Sequence, residues 1–135
     1  MPKFTGACLC GNIRYSAEAE PMFMGVCHCK DCQRATGSAF SAVVAIPEAS
    51  LSVQGSPKTV TVKAGSGMAA HRSFCPECGS TMMSRPEAMP GAVLLTTGPM
   101  DDTSQFKPSM EIFCASAQPW VHLGGELQHF ARMPG

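Results

Sequence analysis

No uninterrupted apolar run in the 135 residues approaches the roughly 20 needed to cross a membrane as a helix. The longest, Phe40 to Ile46, is short and carries Ser41. Neither sign of charge is in excess, since ten Lys and Arg offset ten Asp and Glu. A general electrostatic hold on nucleic acid or an acidic membrane is therefore not expected. Charged residues make up only 15% and apolar residues 44%, which argues against disorder. There is no internal repeat, no low-complexity tract, no Gly-rich phosphate loop and no usable Ser-His-Asp order. The N-terminal Met1 to Gly6 lacks the apolar stretch of a signal peptide, so the cytoplasm is the expected compartment. These exclusions leave a small-molecule partner as the expectation, with no nucleic acid and no membrane.

The length suits one domain over 1–135, because domains commonly run to about 100–150 residues. Thirteen Gly and eleven Pro, spread along the chain, favour turns and short strands over long helices. Alternating apolar residues predict strands at Asn12–Ala17 and Lys58–Lys63, and Phe40–Ile46 reads as a more buried strand. Leu51–Val53, Met68–Phe74, Ser80–Ser84, Ala92–Thr97 and Met110–Cys114 predict further short ones. Lys30–Thr36, stopped by Gly37, is the one helix expected. Gly65-Ser66-Gly67 predicts a hairpin turn. Met82 and Met83 are expected to fill core gaps. The fold class is mainly β, with antiparallel sheets and one short helix.

Eight cysteines are many for a chain expected in a reducing compartment, and patterned cysteines there point to metal or catalysis rather than disulfides. They form three clusters: Cys8-Leu9-Cys10-Gly11, Cys27-His28-Cys29-Lys30-Asp31-Cys32 and Cys75-Pro76-Glu77-Cys78-Gly79, with Cys114 alone. Cys75 and Cys78 read as a zinc knuckle that needs a partner knuckle, and Cys8 with Cys10 is the natural one. Four thiolates around Zn²⁺ form a closed site that stabilises a fold. Cys27, Cys29 and Cys32 have no fourth cysteine nearby, and a zinc with three protein ligands keeps a position open for chemistry. Pairing Cys75 and Cys78 with the middle cluster instead would strand Cys8 and Cys10. His28 is the rival fourth ligand at the middle site, or else a residue that supports the ligands from behind or contacts substrate. Cys114 reads as a small buried residue.

The motifs resemble the family of glutathione-dependent formaldehyde-activating enzymes, also called the CENP-V domain family. The resemblance is carried by Gly6-Ala7-Cys8-Leu9-Cys10-Gly11-Asn12-Ile13-Arg14-Tyr15, by Cys27 to Phe40, by Arg72-Ser73-Phe74-Cys75-Pro76-Glu77-Cys78-Gly79 and by Trp120. It implies an Mss4-like fold with two zinc ions per chain. Cys8, Cys10, Cys75 and Cys78 would hold the structural ion, and Cys27, Cys29 and Cys32 the catalytic one. Glu111 stands where many members look like His. The implied activity is a carbon–sulfur lyase or synthase, adding glutathione to formaldehyde. Three thiolates and Zn²⁺ sum to a charge of −1, which suits holding a substrate thiolate better than activating water. Lys30 and Arg34 are the expected contacts to the carboxylates of glutathione, Arg72 approaches the knuckle, and Arg14 reads as structural. The competing reading is a zinc-ribbon-like binding module with both metals structural, or the same fold acting on a different thiol adduct.

Overall fold

The computed structural model describes residues 1–134. The strands are β1 (Lys3–Ala7), β2 (Arg14–Glu18) and β3 (Phe23–Cys27), followed by the helix α1 (Lys30–Thr36). Next come β4 (Ser41–Pro47), β5 (Leu51–Gln54), β6 (Lys58–Lys63), β7 (Ala69–Phe74) and β8 (Thr81–Pro86). The last are β9 (Ala92–Thr96), β10 (Met110–Ile112) and β11 (Gln128–His129). They build a three-stranded sheet, β1-β2-β5, and an eight-stranded sheet, β11-β10-β3-β4-β9-β8-β7-β6. Pairing is antiparallel except at one end of the large sheet, where β10 runs parallel to β3 and to β11. No helix among the described residues is long and apolar enough to cross a membrane.

The alternation in β2 has a physical cause. Tyr15 and Ala17 point into the core at 3% and 2% exposure, and Arg14 and Glu18 face solvent. The two sheets share that core. Phe4, Ile13 and Tyr15 of the small sheet pack with Val44, Ile46, Met82, Met83 and Leu95 of the large one. Burying a side chain of that size contributes roughly 1.5–3 kcal/mol, so these contacts dominate the stability. The methionines at 82 and 83 fill the core as expected, at 0% and 1% exposure.

Three strands escape the sequence reading. In β1, buried Gly6 interrupts an already short apolar pattern. In β3, Gly25 does the same, and a Cβ there would stand 3.1 Å from Met110 Cγ. The missing side chain is what lets β10 lie alongside. β11 is only two residues long. The reading of β6 also needs correction on burial: Val60 and Val62 share a side but remain 41% and 38% exposed, because β6 is the outer edge of its sheet.

Gly6 marks the tightest approach between the small sheet and the loop after β9. A Cβ there would lie 2.6 Å from both the Pro99 carbonyl oxygen and the Tyr15 ring. Ala7 N–H donates to that same carbonyl at 3.0 Å, so the backbone cannot retreat freely. Gly6→Ala is expected to cost about 1–3 kcal/mol through overpacking. Gly124→Ala, with nothing within 4 Å, serves as the control. Denaturant melts of both variants check this, and equal midpoints would refute the steric account.

Candidate metal centres and the adjoining cavity

The first cluster is assembled by two turns. Cys8 and Cys10 lie between β1 and β2, where Gly11 takes φ 83° and donates to the Cys8 carbonyl at 3.0 Å. Cys75 and Cys78 lie between β7 and β8, where Gly79 takes φ 77° and donates to the Cys75 carbonyl at 2.8 Å. Glycine is required at both because the left-handed backbone strains any side chain. Leu9 N–H donates to Ser80 Oγ at 3.0 Å and so joins the two turns.

The four sulfurs lie within 4.8 Å of one another. Cys8 and Cys10 Sγ are 3.6 Å apart, and Cys10 and Cys75 Sγ are 3.7 Å apart. A tetrahedron with Zn–S of ~2.3 Å has edges of about 3.8 Å. A disulfide would require ~2.05 Å. The donor set therefore fits a tetrahedral thiophilic cation and not a pair of bridges. Ile13 N–H donates to Cys8 Sγ at 3.2 Å, a contact that favours charge on that sulfur. Ser80 brings the Cys78 thiol down to about 5 through its hydroxyl and its backbone N–H.

Cys27, Cys29 and Cys32 form the second set, again within 4.8 Å of one another. Cys27 ends β3, Cys29 caps α1, and Cys32 sits in its first turn with its N–H donating to Cys29 Sγ at 3.3 Å. Hydrogen bonds from the Cys27 and Cys32 side chains hold the Cys29 thiol well below the ordinary range, while the same contacts push Cys27 up. Among the described residues no other Cys, His, Asp or Glu joins this set. Both sets thus match the division into four and three.

The second set lies on the wall of a cavity of about 380 Å³. Arg72, on β7, lines it as the one cation among the described residues, with Nη2 3.9 Å from Cys32 Sγ. Arg72 Nε is buried without a partner. Lys30 and Arg34, the cations expected at the site, are exposed on α1 and do not line the cavity. Sequence adjacency to the ligands was a poorer guide than the pairing of β7 with β8, which carries Arg72 there from 40 residues away. Arg14 is exposed on β2 and Trp120 is 68% exposed, both outside the cavity lining.

His28 lies beside the second set but not within it. Its imidazole is 1% exposed, with Nε2 2.8 Å from Glu111 Oε1 and the ring edge-on to Phe40. Glu111 also faces His129, Nδ1 to Oε2 at 2.5 Å. Glu111 thus lies buried between two imidazoles. His28 does not line the cavity and is an internal partner of Glu111. Cys114 is corrected. It begins a single 3₁₀ turn after β10, is only half-buried, and sits with Sγ 3.7 Å from the Glu111 carbonyl, grouped with His28 and Glu111.

One positioning residue had no motif to announce it. Gln33 is 7% exposed and donates from Nε2 to the His28 carbonyl at 2.7 Å and to the Ser116 carbonyl at 3.1 Å. Its Oε1 accepts from Gln118 at 2.9 Å. It ties the ligand loop to the segment after β10. Gln33→Leu leaves these buried groups unpaired and is expected to cost about 1–3 kcal/mol, with faster metal loss from the second set than from the first. Chelator-driven release followed with a metal dye checks this. Unchanged release would remove the tether.

The family described as glutathione-dependent formaldehyde-activating enzyme matches residues 3–116. A Schizosaccharomyces pombe protein named as an uncharacterized lyase is 33% identical over 82 residues, or 61% of this chain and 57% of the relative. The match thus spans little more than half of that relative's length. A Rhodobacter sphaeroides protein of known crystal structure superposes with a TM-score of 0.57 over 72% of this chain and 87% of that one, at 21% identity. That likeness is one of fold. With a match over most of its length, and with the cysteine sets assembled as the motifs require, the chain belongs to the glutathione-dependent formaldehyde-activating enzyme family.

Proposed function

We propose that the protein is a zinc-dependent carbon–sulfur lyase or synthase, joining a thiol such as glutathione to formaldehyde or a related small aldehyde. The observation that carries this reading is the contrast between the two cysteine sets. Four converge into a closed group, whereas three converge on a cavity wall with no fourth ligand. The family membership and the lyase-named relative support it. We assign Cys8, Cys10, Cys75 and Cys78 to a structural zinc, and Cys27, Cys29 and Cys32 to a catalytic one. When bound at the second set, zinc supplies an open coordination position at which a substrate thiol is kept as thiolate.

The chain's own residues do the rest. Arg72 places a guanidinium beside Cys32, where it draws an anionic sulfur or carboxylate toward the set. The apolar walls exclude water, which strengthens that attraction. The thiolate sulfur then attacks the carbonyl carbon, the C–S bond forms as the C=O π bond opens, and the proton lost by the thiol ends on the oxygen. The reverse sequence is the lyase reaction. Lys30 and Arg34, exposed on α1, are left to meet charged groups of glutathione outside the cavity. The cytoplasm, where glutathione is abundant and thiols stay reduced, is the compartment this chemistry suits.

Two zinc ions per chain are expected in native mass spectra of reduced protein. The two sets should fail differently. Cys78→Ser opens the group that joins the turns at residues 8 and 75, so it should lower the thermal midpoint steeply or prevent folding, given the large contribution of closed zinc sites to folding. Cys29→Ser should leave a folded chain that carries one zinc and little activity. Circular dichroism melts check both, and the opposite pattern would invert the roles.

Zinc-edge X-ray absorption tests the chemistry directly. Seven cysteine ligands over two ions give a mean shell of about 3.5 sulfurs per zinc, which should rise toward four on adding glutathione. Arg72→Ala should weaken that response several-fold, because it removes a charge-assisted contact. A spectrum unmoved by any thiol, with zinc retained, would favour a purely structural role for both ions.

A further inference from the structure

We propose that the cavity beside Cys27, Cys29 and Cys32 is a subsite for an apolar substituent on the carbonyl carbon, so that the protein's carbonyl substrates are alkyl or aryl aldehydes larger than formaldehyde. This rests on the carbon–sulfur reading of the same site and specifies its substrate class.

Val43, Met83 and Leu94 line the cavity from the large sheet, and Met110, Ile112 and Phe113 from β10 and the residue after it. Such walls gain free energy only when apolar surface covers them. A hydroxymethyl group would leave most of the 380 Å³ to water. That volume lies in the range of small-molecule sites, roughly 300–1,000 Å³. Beyond the three thiols, Asp31, Arg72 and the hydroxyls of Ser41, Ser66 and Ser84, these walls offer the peptide groups of glutathione few polar partners. Thr96 Oγ1 already donates to the Thr81 and Met82 carbonyls at 2.8 Å, and Thr81 Oγ1 donates to the Ala35 carbonyl at 2.8 Å. A buried amide without a partner costs on the order of 1–3 kcal/mol. The peptide of the thiol therefore belongs at the mouth, and the space inside belongs to the substituent on the carbon that the sulfur attacks.

Phe113 is the one non-glycine residue with positive φ among the described residues, at φ 55° and ψ 39°. A bulky side chain in that region carries strain, which persists only where the surroundings enforce it. Here the strain turns the ring toward the β6–β7 turn, where a Cβ on Gly65 would come within 3.0 Å of Phe113 Cε1 and Cζ. Ala64, Gly65 and Ser66 line the same space. A strained aromatic ring and a glycine that makes room for it together line the cavity.

The reaction balances without a co-reactant: the thiol adds across the C=O bond, the C–S bond forms, and the thiol proton ends on the oxygen. The test uses the zinc-loaded full chain and calorimetric titration with S-methyl-, S-butyl-, S-hexyl- and S-benzylglutathione, which carry the apolar group on the sulfur's substituent carbon without reacting. Affinity is expected to tighten by up to about fourfold per added methylene until the space is full. Ser84→Phe, which fills the cavity from β8, should flatten the series while leaving zinc content and S-methyl binding unchanged. If that variant does not fold, Leu94→Ala, which enlarges the same space, should move the optimum to a longer chain. A flat series in the wild type overturns the proposal, as does a steep one that neither variant alters. The rate of adduct formation above the uncatalysed background, from glutathione with formaldehyde and with butanal, followed by NMR on the same protein, separates the two readings. Catalysed adduct with a flat series removes the subsite alone. A graded series without catalysed adduct supports the apolar subsite and removes the carbon–sulfur reaction.

Discussion

Four thiols brought into one tetrahedral group hold the two halves of this molecule in register. Cys8 and Cys10 belong to the turn of the small sheet, Cys75 and Cys78 to a turn of the large one. Sulfurs 3.6–3.7 Å apart gain little from one another as neutral thiols and repel as thiolates, so the arrangement makes physical sense around a cation. The apolar core beneath it also spans both sheets, through Phe4, Ile13 and Tyr15 on one side and Ile46, Met82 and Leu95 on the other. Core burial supplies most of the attraction, but it is non-directional. The thiol group adds the directional constraint that fixes how the turns meet.

That frame determines where the second set can sit. β7 leaves its knuckle at Cys75 and carries Arg72 back along the large sheet to within 3.9 Å of Cys32. One strand thus joins the four-cysteine group to the arginine that faces the three-cysteine set. Displacing the knuckle would displace the cation that faces the open set. The ligand loop is held from its other side by Gln33 and by the pairing of Cys27 with Ile112. Through Ile112, the position of β10 is tied both to Cys27 and to the ring of Phe113 that lines the cavity.

Glu111 shows how a buried carboxyl group is accommodated by its neighbours. A carboxylate at 7% exposure is costly unless it is paired. Here His28 meets one oxygen and His129 the other, and the second imidazole comes from β11, which lies parallel to β10. The pairing anchors the C-terminal segment against the loop between Cys27 and Cys29. It accounts for His28 being turned inward, away from the space where substrate is expected.

Much of this was legible in the chain before folding. Metal ligation demands particular atoms at short separations, so Cys8, Cys10, Cys27, Cys29, Cys32, Cys75 and Cys78 announced both groups by type and spacing. The strands β2, β4, β7, β8 and β9 and the helix α1 followed from local alternation, from glycine stops and from apolar runs. What only the tertiary structure decided was non-local. The parallel contact of β3 with β10 joins residues over 80 positions apart, and its enabling residue, Gly25, looks like a strand breaker in isolation. Lys30 and Arg34 adjoin the ligands in sequence yet point to solvent, whereas Arg72 arrives from another strand. The cavity has no sequence signature at all, since its walls come from six strands, two turns, the start of α1 and the segment at Met133 and Pro134. Local chemistry is written in consecutive residues because bonds and hydrogen bonds act over a few ångströms along the chain. The shape of an enclosed space depends on which surfaces the core brings together, and that is decided only when the whole chain has packed.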